Sequence, residues 1–324
     1  MQSIEKLQQL FEEELRKQRF NRQPRNLYEP FEYILGLSGK RMRPVMLMMA
    51  CEMFGIEASN AIPQAIAIEL FHNFTLIHDD IMDRAPLRRG MPAVHEKFNQ
   101  TIAILSGDAM LVYAYHFLIQ TKFSPVEKLV SIFNDCAIKV CEGQQTDMNF
   151  ETAGDVSVED YLFMIELKTA TLLAASLQIG ALVGGAPDAD ANHIYEFGRE
   201  LGIAFQLKDD WLDAFGDADK TGKQTGGDII QHKKTFLFLE AIKLADGSSR
   251  NELLNLFSSN EKQGEKQVKT VLEIFRRLNI DHITKEQSDR HYANAISYLE
   301  KVSLTEQEKK PLRNLAAALM QREH

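Results

Sequence analysis

Apolar residues recur at helical spacing along almost the whole chain, and the alternation expected of strands is nearly absent. Ile4, Leu7, Leu10, Phe11 and Leu15 mark one face near the start, and Leu312, Leu315 and Leu319 another near the end. The breaks fall between periodic segments: Ser38-Gly39, Gly90-Met91-Pro92, Gly184-Gly185-Ala186-Pro187, Gly226-Gly227 and Asp246-Gly247. This predicts about ten or more helices joined by mostly short connections. No repeat, low-complexity tract or shift in composition marks a linker, so residues 1–324 read as a single all-α domain. The most polar stretch, 258–267, reads as a surface loop, and nothing after about residue 245 carries an obvious chemical cluster.

An apolar fraction of 44% supplies a packed core and excludes disordered and fibrous classes. The formal charge of −9 argues against a nucleic-acid partner, because such proteins neutralise phosphates with surplus Lys and Arg. Any anionic substrate must then be held by local basic clusters or by metal ions. Cys51, Cys136 and Cys141 are odd in number and lack CxxC spacing, which fits free thiols in a reducing, cytoplasmic setting. The first residues lack the apolar core of a signal peptide. Asp108 interrupts the apolar stretch 101–119, and Glu166, Lys168 and Gln178 interrupt 161–184, leaving no uncharged span of membrane-crossing length.

Two acidic clusters stand out. Asp79, Asp80 and Asp83 occupy positions i, i+1 and i+4 of a strongly apolar helical pattern. At about 100° per residue, Asp83 lies roughly 40° from Asp79 and about 6 Å along the axis, so these two carboxylates share a face. His72 and Thr75 fall on the same stripe. Asp209, Asp210 and Asp213 repeat the arrangement, with Gln206 joining the Asp209 face. Like charges one turn apart repel, and such a pair in a cleft is stable chiefly when a cation neutralises it. All-oxygen ligands favour Mg²⁺. One such motif on an exposed helix is common, but two, each set among large apolar residues, are hard to explain as solvated faces.

Two basic clusters accompany them. Gly39-Lys40-Arg41-Met42-Arg43-Pro44 leads into an apolar helix, with Pro44 tolerable in its first turn, where exposed amides also favour an anion. Arg84, Arg88 and Arg89 lie on a Pro- and Gly-bounded loop, and Arg suits bidentate phosphate contacts. Two acid clusters for metal and two basic clusters for phosphate, on one acidic chain, describe a magnesium–diphosphate site.

Asp79-Asp80-x-x-Asp83 and Asp209-Asp210-x-x-Asp213, together with Gly39-Lys40-Arg41-x-Arg43-Pro44 and Leu87-Arg88-Arg89-Gly90, resemble the motifs of the polyprenyl synthetase family, the head-to-tail trans-isoprenyl diphosphate synthases. The resemblance runs from about residue 25 to 240. It implies an all-α bundle of the isoprenoid synthase type I fold around a central apolar cavity, acting as a homodimer on isopentenyl diphosphate and an allylic diphosphate. It also implies Mg²⁺, with three ions when substrate is bound: Asp79 and Asp83 hold two, Asp209 a third, and Asp80, Asp210 and Asp213 support them. Arg88, Lys168 and Lys223 would clamp the allylic diphosphate, with Lys234 of Lys233-Lys234-Thr235 as a further candidate. Lys40, Arg43, His72 and Arg89 would hold isopentenyl diphosphate, and Lys168, Thr169 and Gln206 form the catalytic set, the last two beside the developing carbocation.

By the same resemblance, Phe71, Phe74 and Thr75 govern product length. Thr75, one turn before the acids, is smaller than the aromatic residue expected in many farnesyl-specific enzymes. That favours geranylgeranyl diphosphate, with farnesyl as the alternative. A class I terpene cyclase is a more distant rival, since the second Asp-rich motif and the Lys40/Arg43 pair speak against it. A non-catalytic partner subunit would have lost acids or the Arg pair, and both are complete here.

Overall fold

The structure, a computed structural model, describes residues 2–216, 225–258 and 264–321. Among these the chain is helical from end to end, with one antiparallel pair of two-residue strands as the exception, β1 (Leu87–Arg88) and β2 (Met91–Pro92). The first helices are α1 (Ile4–Lys17), α2 (Arg25–Gly36), α3 (Met42–Met53) and α4 (Ile62–Met82). After the hairpin come α5 (Val94–Lys97), α6 (Gln100–Leu118), α7 (Val126–Thr152), α8 (Val158–Ile165), α9 (Thr171–Val183) and α10 (Asp188–Phe215). The remainder are α11 (Gly227–Ile230), α12 (Phe236–Leu244), α13 (Gly247–Ser258), α14 (Glu265–Arg277), α15 (Ile280–Glu300) and α16 (Glu306–Met320). The chain forms two compact units, one of residues 1–136, 175–195 and 302–312, the other of 137–174, 196–301 and 313–324.

In the first unit α3 is buried on every side from Pro44 to Cys51, as expected of a helix that is apolar all round. Gly180 of α9, and Gly184 just beyond it, let two helices meet at backbone distance. A Cβ on Gly180 would stand 2.0 Å from the Leu47 carbonyl oxygen, and one on Gly184 would stand 2.5 Å from that of Cys51. Arg41, just before α3, takes left-handed geometry with φ 46°. Its buried guanidinium pairs with Glu69 at 2.5 Å and Glu12 at 2.9 Å, and also donates to the Leu35 and Leu37 carbonyls. Arg41 is therefore engaged in tying α1, α2 and α4 together, apart from its neighbours Lys40 and Arg43 in the basic run.

In the second unit α8 starts at a capping box, Ser157 and Asp160, and joins a core of Tyr161, Ile165, Leu207, Phe236 and Phe275. Between α8 and α9 one π-turn, Glu166–Ala170, interrupts the helical ladder. The polar stretch 258–267 differs from its reading as one loop: residues 259–263 lie outside the described residues, and α14 starts at Glu265. Gln267 is buried there, its amide donating to the carbonyls of Ile229 and Leu256, both at 3.2 Å. Two long helical stretches, Gln100–Leu118 and Val158–Val183, are apolar enough to match a membrane span in length and composition. The second is 67% buried inside the protein, as a core helix is.

Candidate active site

α4 delivers the first acid row. It closes at Met82, with Asp83 as a C-cap that keeps helical geometry and donates its amide to the Asp79 carbonyl at 2.8 Å. Asp79 is half-buried and Asp83 exposed on the shared face, while Asp80, 1% exposed, turns inward. Arg88, from the hairpin, meets Asp80 through Nε at 3.0 and 3.1 Å and through Nη2, and lies 3.7 Å from Asp79. Burial pushes the Asp80 carboxyl up, and Arg88 opposes the rise. The hairpin thus sets one guanidinium directly against the acid row.

The second basic residue of the hairpin, Arg89, points elsewhere in the same unit. It adopts φ 55°, and its guanidinium lies over Gly39, where an added Cβ would approach Nη1 to 2.7 Å. Nearby, Arg43 Nη1 contacts His72 Nε2 at 3.3 Å, and Arg43 Nε is buried with no hydrogen-bond partner. Burial, then Arg43, Arg89, Arg88 and Arg41, hold His72 well below the usual imidazole range, so the ring is neutral at neutral pH and Nε2 accepts from Arg43. Burial also lowers Arg43 and Arg89. Gly39, Arg43, His72 and Arg89 form a cationic cradle on which Glu69, already paired with Arg41, also acts, with Lys40 exposed in the adjoining loop. Such a cradle suits a phosphate.

The chain-length candidates share α4. Phe71 is 1% exposed and packs edge-on to Phe133, with ring centroids 5.1 Å apart. Phe74 is half-buried between Phe71 and His78. Thr75 Oγ1 donates back to the His72 carbonyl at 2.8 Å.

The second acid row ends α10. Asp210 is buried and accepts from the Tyr161 hydroxyl and from Gln206 Nε2 at 3.0 Å. Burial, followed by the charge of Asp228, pushes its carboxyl up to about 7 against those hydrogen bonds. Asp213 accepts the Asp228 amide at 2.9 Å and so caps α11; burial and Asp228 push it up to about 6. Asp209 is half-buried on the face it shares with Gln206. Thr169 Oγ1 donates to Gln206 Oε1 at 3.3 Å, and the Lys168 ammonium meets Asp147 at 2.6 Å, the pairing that an interior Lys requires. Lys234 turns away from the acids and donates to the carbonyls of Phe150 at 2.7 Å and Ala153 at 2.5 Å, around the end of α7. Lys223 lies outside the described residues.

Three residues escaped the reading of the sequence: Asp228, Tyr161 and Asp147. Gly226-Gly227-Asp228 offers a weak local signal, a turn with an acid, whereas Asp147 and Tyr161 are ordinary helical residues whose partners lie far along the chain. Burial and the neighbouring charge of Asp228 raise Asp210 and Asp213, and among the described residues no group of three or more His, Cys, Asp or Glu side chains is gathered closely enough to hold a metal ion.

The family model described as polyprenyl synthetase matches residues 24–275. A geranylgeranyl diphosphate synthase of Methanosarcina mazei is 38% identical over 279 residues, spanning 86% of this chain and 82% of that protein. A geranylfarnesyl diphosphate synthase of Natronomonas pharaonis is 38% identical over 237 residues, 67% of this chain and 69% of that one. A crystal structure of a geranylgeranyl pyrophosphate synthase superposes with a TM-score of 0.93 at 41% identity, covering 100% of both chains. The family match over most of the chain, these relatives and the shared all-α fold show that the chain belongs to the polyprenyl synthetase family.

Proposed function

We propose that the chain joins isopentenyl diphosphate head to tail to an allylic diphosphate and releases a prenyl diphosphate one unit longer, with geranylgeranyl diphosphate as the end product. The observation that carries this reading is the basic cluster of Arg43, His72 and Arg89, separate from the Arg88–Asp80 pair beside the acid row. A synthase must hold two diphosphates, whereas a terpene cyclase holds one. Asp79 and Asp83 at the end of α4, and Asp209 on α10, are the candidates to hold Mg²⁺, which, when bound, would neutralise diphosphate and stabilise the departing charge.

The protein's own groups do the rest. Arg88 exchanges its Asp80 contact for allylic diphosphate, and its preorganised position puts a fixed positive charge where leaving-group charge develops. Lys168, held by Asp147, supplies a second such charge. The Thr169 and Gln206 oxygens present dipoles to the allylic cation. Of the two adjacent lysines, we assign diphosphate to the exposed Lys233, since Lys234 serves the α7 carbonyls. No side chain is needed as base, because the released diphosphate takes the proton. Phe74, half-buried one turn before His78, limits the chain grown.

The test incubates pure protein with Mg²⁺, isopentenyl diphosphate and C5, C10 or C15 allylic starters, then sizes the products. A C20 diphosphate lost on chelation is expected; hydrocarbon products or no elongation would reject the reading. We also propose a cytoplasmic homodimer. The three cysteines are free thiols, and Leu105, Val112 and Ile119, seven residues apart and 58%, 68% and 48% exposed, form an apolar stripe on and just past α6. Leu105→Glu with Val112→Glu should give monomers in sedimentation; an unchanged mass would move the interface elsewhere.

A further inference from the structure

The catalytic Lys168-Thr169 pair sits on a π-turn, and its neighbours are built to admit that turn. Thr171 donates both its amide and its hydroxyl to the Glu166 carbonyl, the hydroxyl at 2.9 Å, closing the widened loop. A Cβ on Gly143 would reach the Lys168 amide nitrogen at 2.4 Å, and one on Gly202 would reach Ala170 Cα at 2.6 Å. Both flanking helices therefore touch the turn at its backbone. An α-helical ladder is the more stable default, so the extra residue needs outside support to persist.

That support comes from Arg199, one turn before Gly202 on α10. Its guanidinium binds Glu166, the first residue of the turn, at 2.9 Å, and also Glu196 at 2.8 Å and Glu200 at 2.5 Å. Glu200 is in turn held by His291 Nδ1 at 2.7 Å and Asn294 at 3.3 Å, both on α15, and Ser288 of that helix donates to the Ala204 carbonyl at 2.9 Å. Arg199, Gly202 and Gln206 follow one another at helical spacing on one face of α10, and they meet Glu166, Ala170 and Thr169 respectively. The C-terminal region, silent in sequence, thereby acquires a role, since α15 buttresses the clamp.

We infer that Arg199 is a positioning residue for prenyl transfer: by fixing Glu166 it holds the π-turn open and so aims Lys168 and Thr169. This rests on the function proposed above. Arg199→Met and Arg199→Lys are compared with the parent, alone and combined with Lys168→Ala, by single-turnover rate, KM for isopentenyl diphosphate and amide hydrogen exchange. Arg199→Met should slow turnover about tenfold with KM unchanged within about twofold, since small misplacements of catalytic groups are costly in rate. Exchange at 167–172 should quicken, and Arg199→Lys should recover most of the rate. In the Lys168→Ala background the loss should shrink to under about twofold, the non-additivity of groups acting through each other. An undiminished loss in that background, a matching rise in KM, or unaltered exchange would overturn the inference. If Arg199→Met does not fold, Glu166→Gln takes its place in the same cycle. Failure of the parent to elongate any starter would remove the functional reading, while the exchange comparison would still decide the clamp.

Discussion

Gly39→Ala separates substrate binding from folding. The new Cβ would stand 2.7 Å from Arg89 Nη1, about 0.7 Å inside the 3.4 Å at which ordinary contact begins. The obstructing atoms are the far end of a flexible side chain from the hairpin, so the guanidinium swings aside and the backbone stays in place. Gly39 does not hold the left-handed geometry that would strain an alanine. Folding should therefore be unharmed, and the less flexible unfolded chain favours the variant by about 0.4–1 kcal/mol. Binding suffers instead. A hydrogen bond to a charged group contributes about 1.5–3 kcal/mol, and losing roughly half of it raises KM for isopentenyl diphosphate about four- to thirteenfold.

The assay varies isopentenyl diphosphate at saturating allylic substrate and records the melting temperature on the same samples. KM for the allylic substrate should stay within about twofold. If Arg89→Ala raises KM and Gly39→Ala does not, the steric reasoning is wrong. If neither raises it, Arg89 does not hold isopentenyl diphosphate. A fall of several degrees in melting temperature would show that the strain reaches the backbone.

Gly180→Ala should behave in the opposite way, because its Cβ meets the Leu47 carbonyl at 2.0 Å and backbone cannot step aside; a loss of about 1–3 kcal/mol in chemical denaturation is expected, and less than about 0.5 would refute it. Burial pushes the Cys51 thiol up to about 12, so at pH 8 it carries almost no thiolate, and mass spectrometry after brief alkylation should find the exposed Cys141 modified first. Labelling of Cys51 ahead of Cys141 would contradict that. Phe74→Ala should lengthen the product at modest cost in stability, whereas Phe71→Ala removes a fully buried ring and should cost about 3–5 kcal/mol whatever it does to chain length. An unchanged product distribution for Phe74→Ala would remove that ring from the floor.

The helices and both acid rows were legible in the sequence for one physical reason: helical periodicity is local. Asp79 and Asp83 share a face because four residues make about one turn, and no other part of the chain is needed to establish it. The limits of such reading show at Arg41 and Arg43. They stand two residues apart in one basic run, yet Glu69 and Glu12 absorb the first while the second keeps a buried Nε without a partner. Which arginine is absorbed into an ion pair depends on carboxylates up to 29 residues away along the chain. Lys233 and Lys234 divide too, the first paired with Asp228 at 3.5 Å and the second set against the α7 carbonyls by a partner 84 residues distant. The π-turn is further from reach, because nothing in Glu166-Leu167-Lys168-Thr169-Ala170 forbids an ordinary helix. It requires Gly143 and Gly202 to make room and Arg199 to hold its first residue. A charged residue in this fold thus reveals its chemistry in sequence and its role only through the partner that does or does not neutralise it. That is why the cradle at Arg43 carries the functional reading further than either acid row does alone.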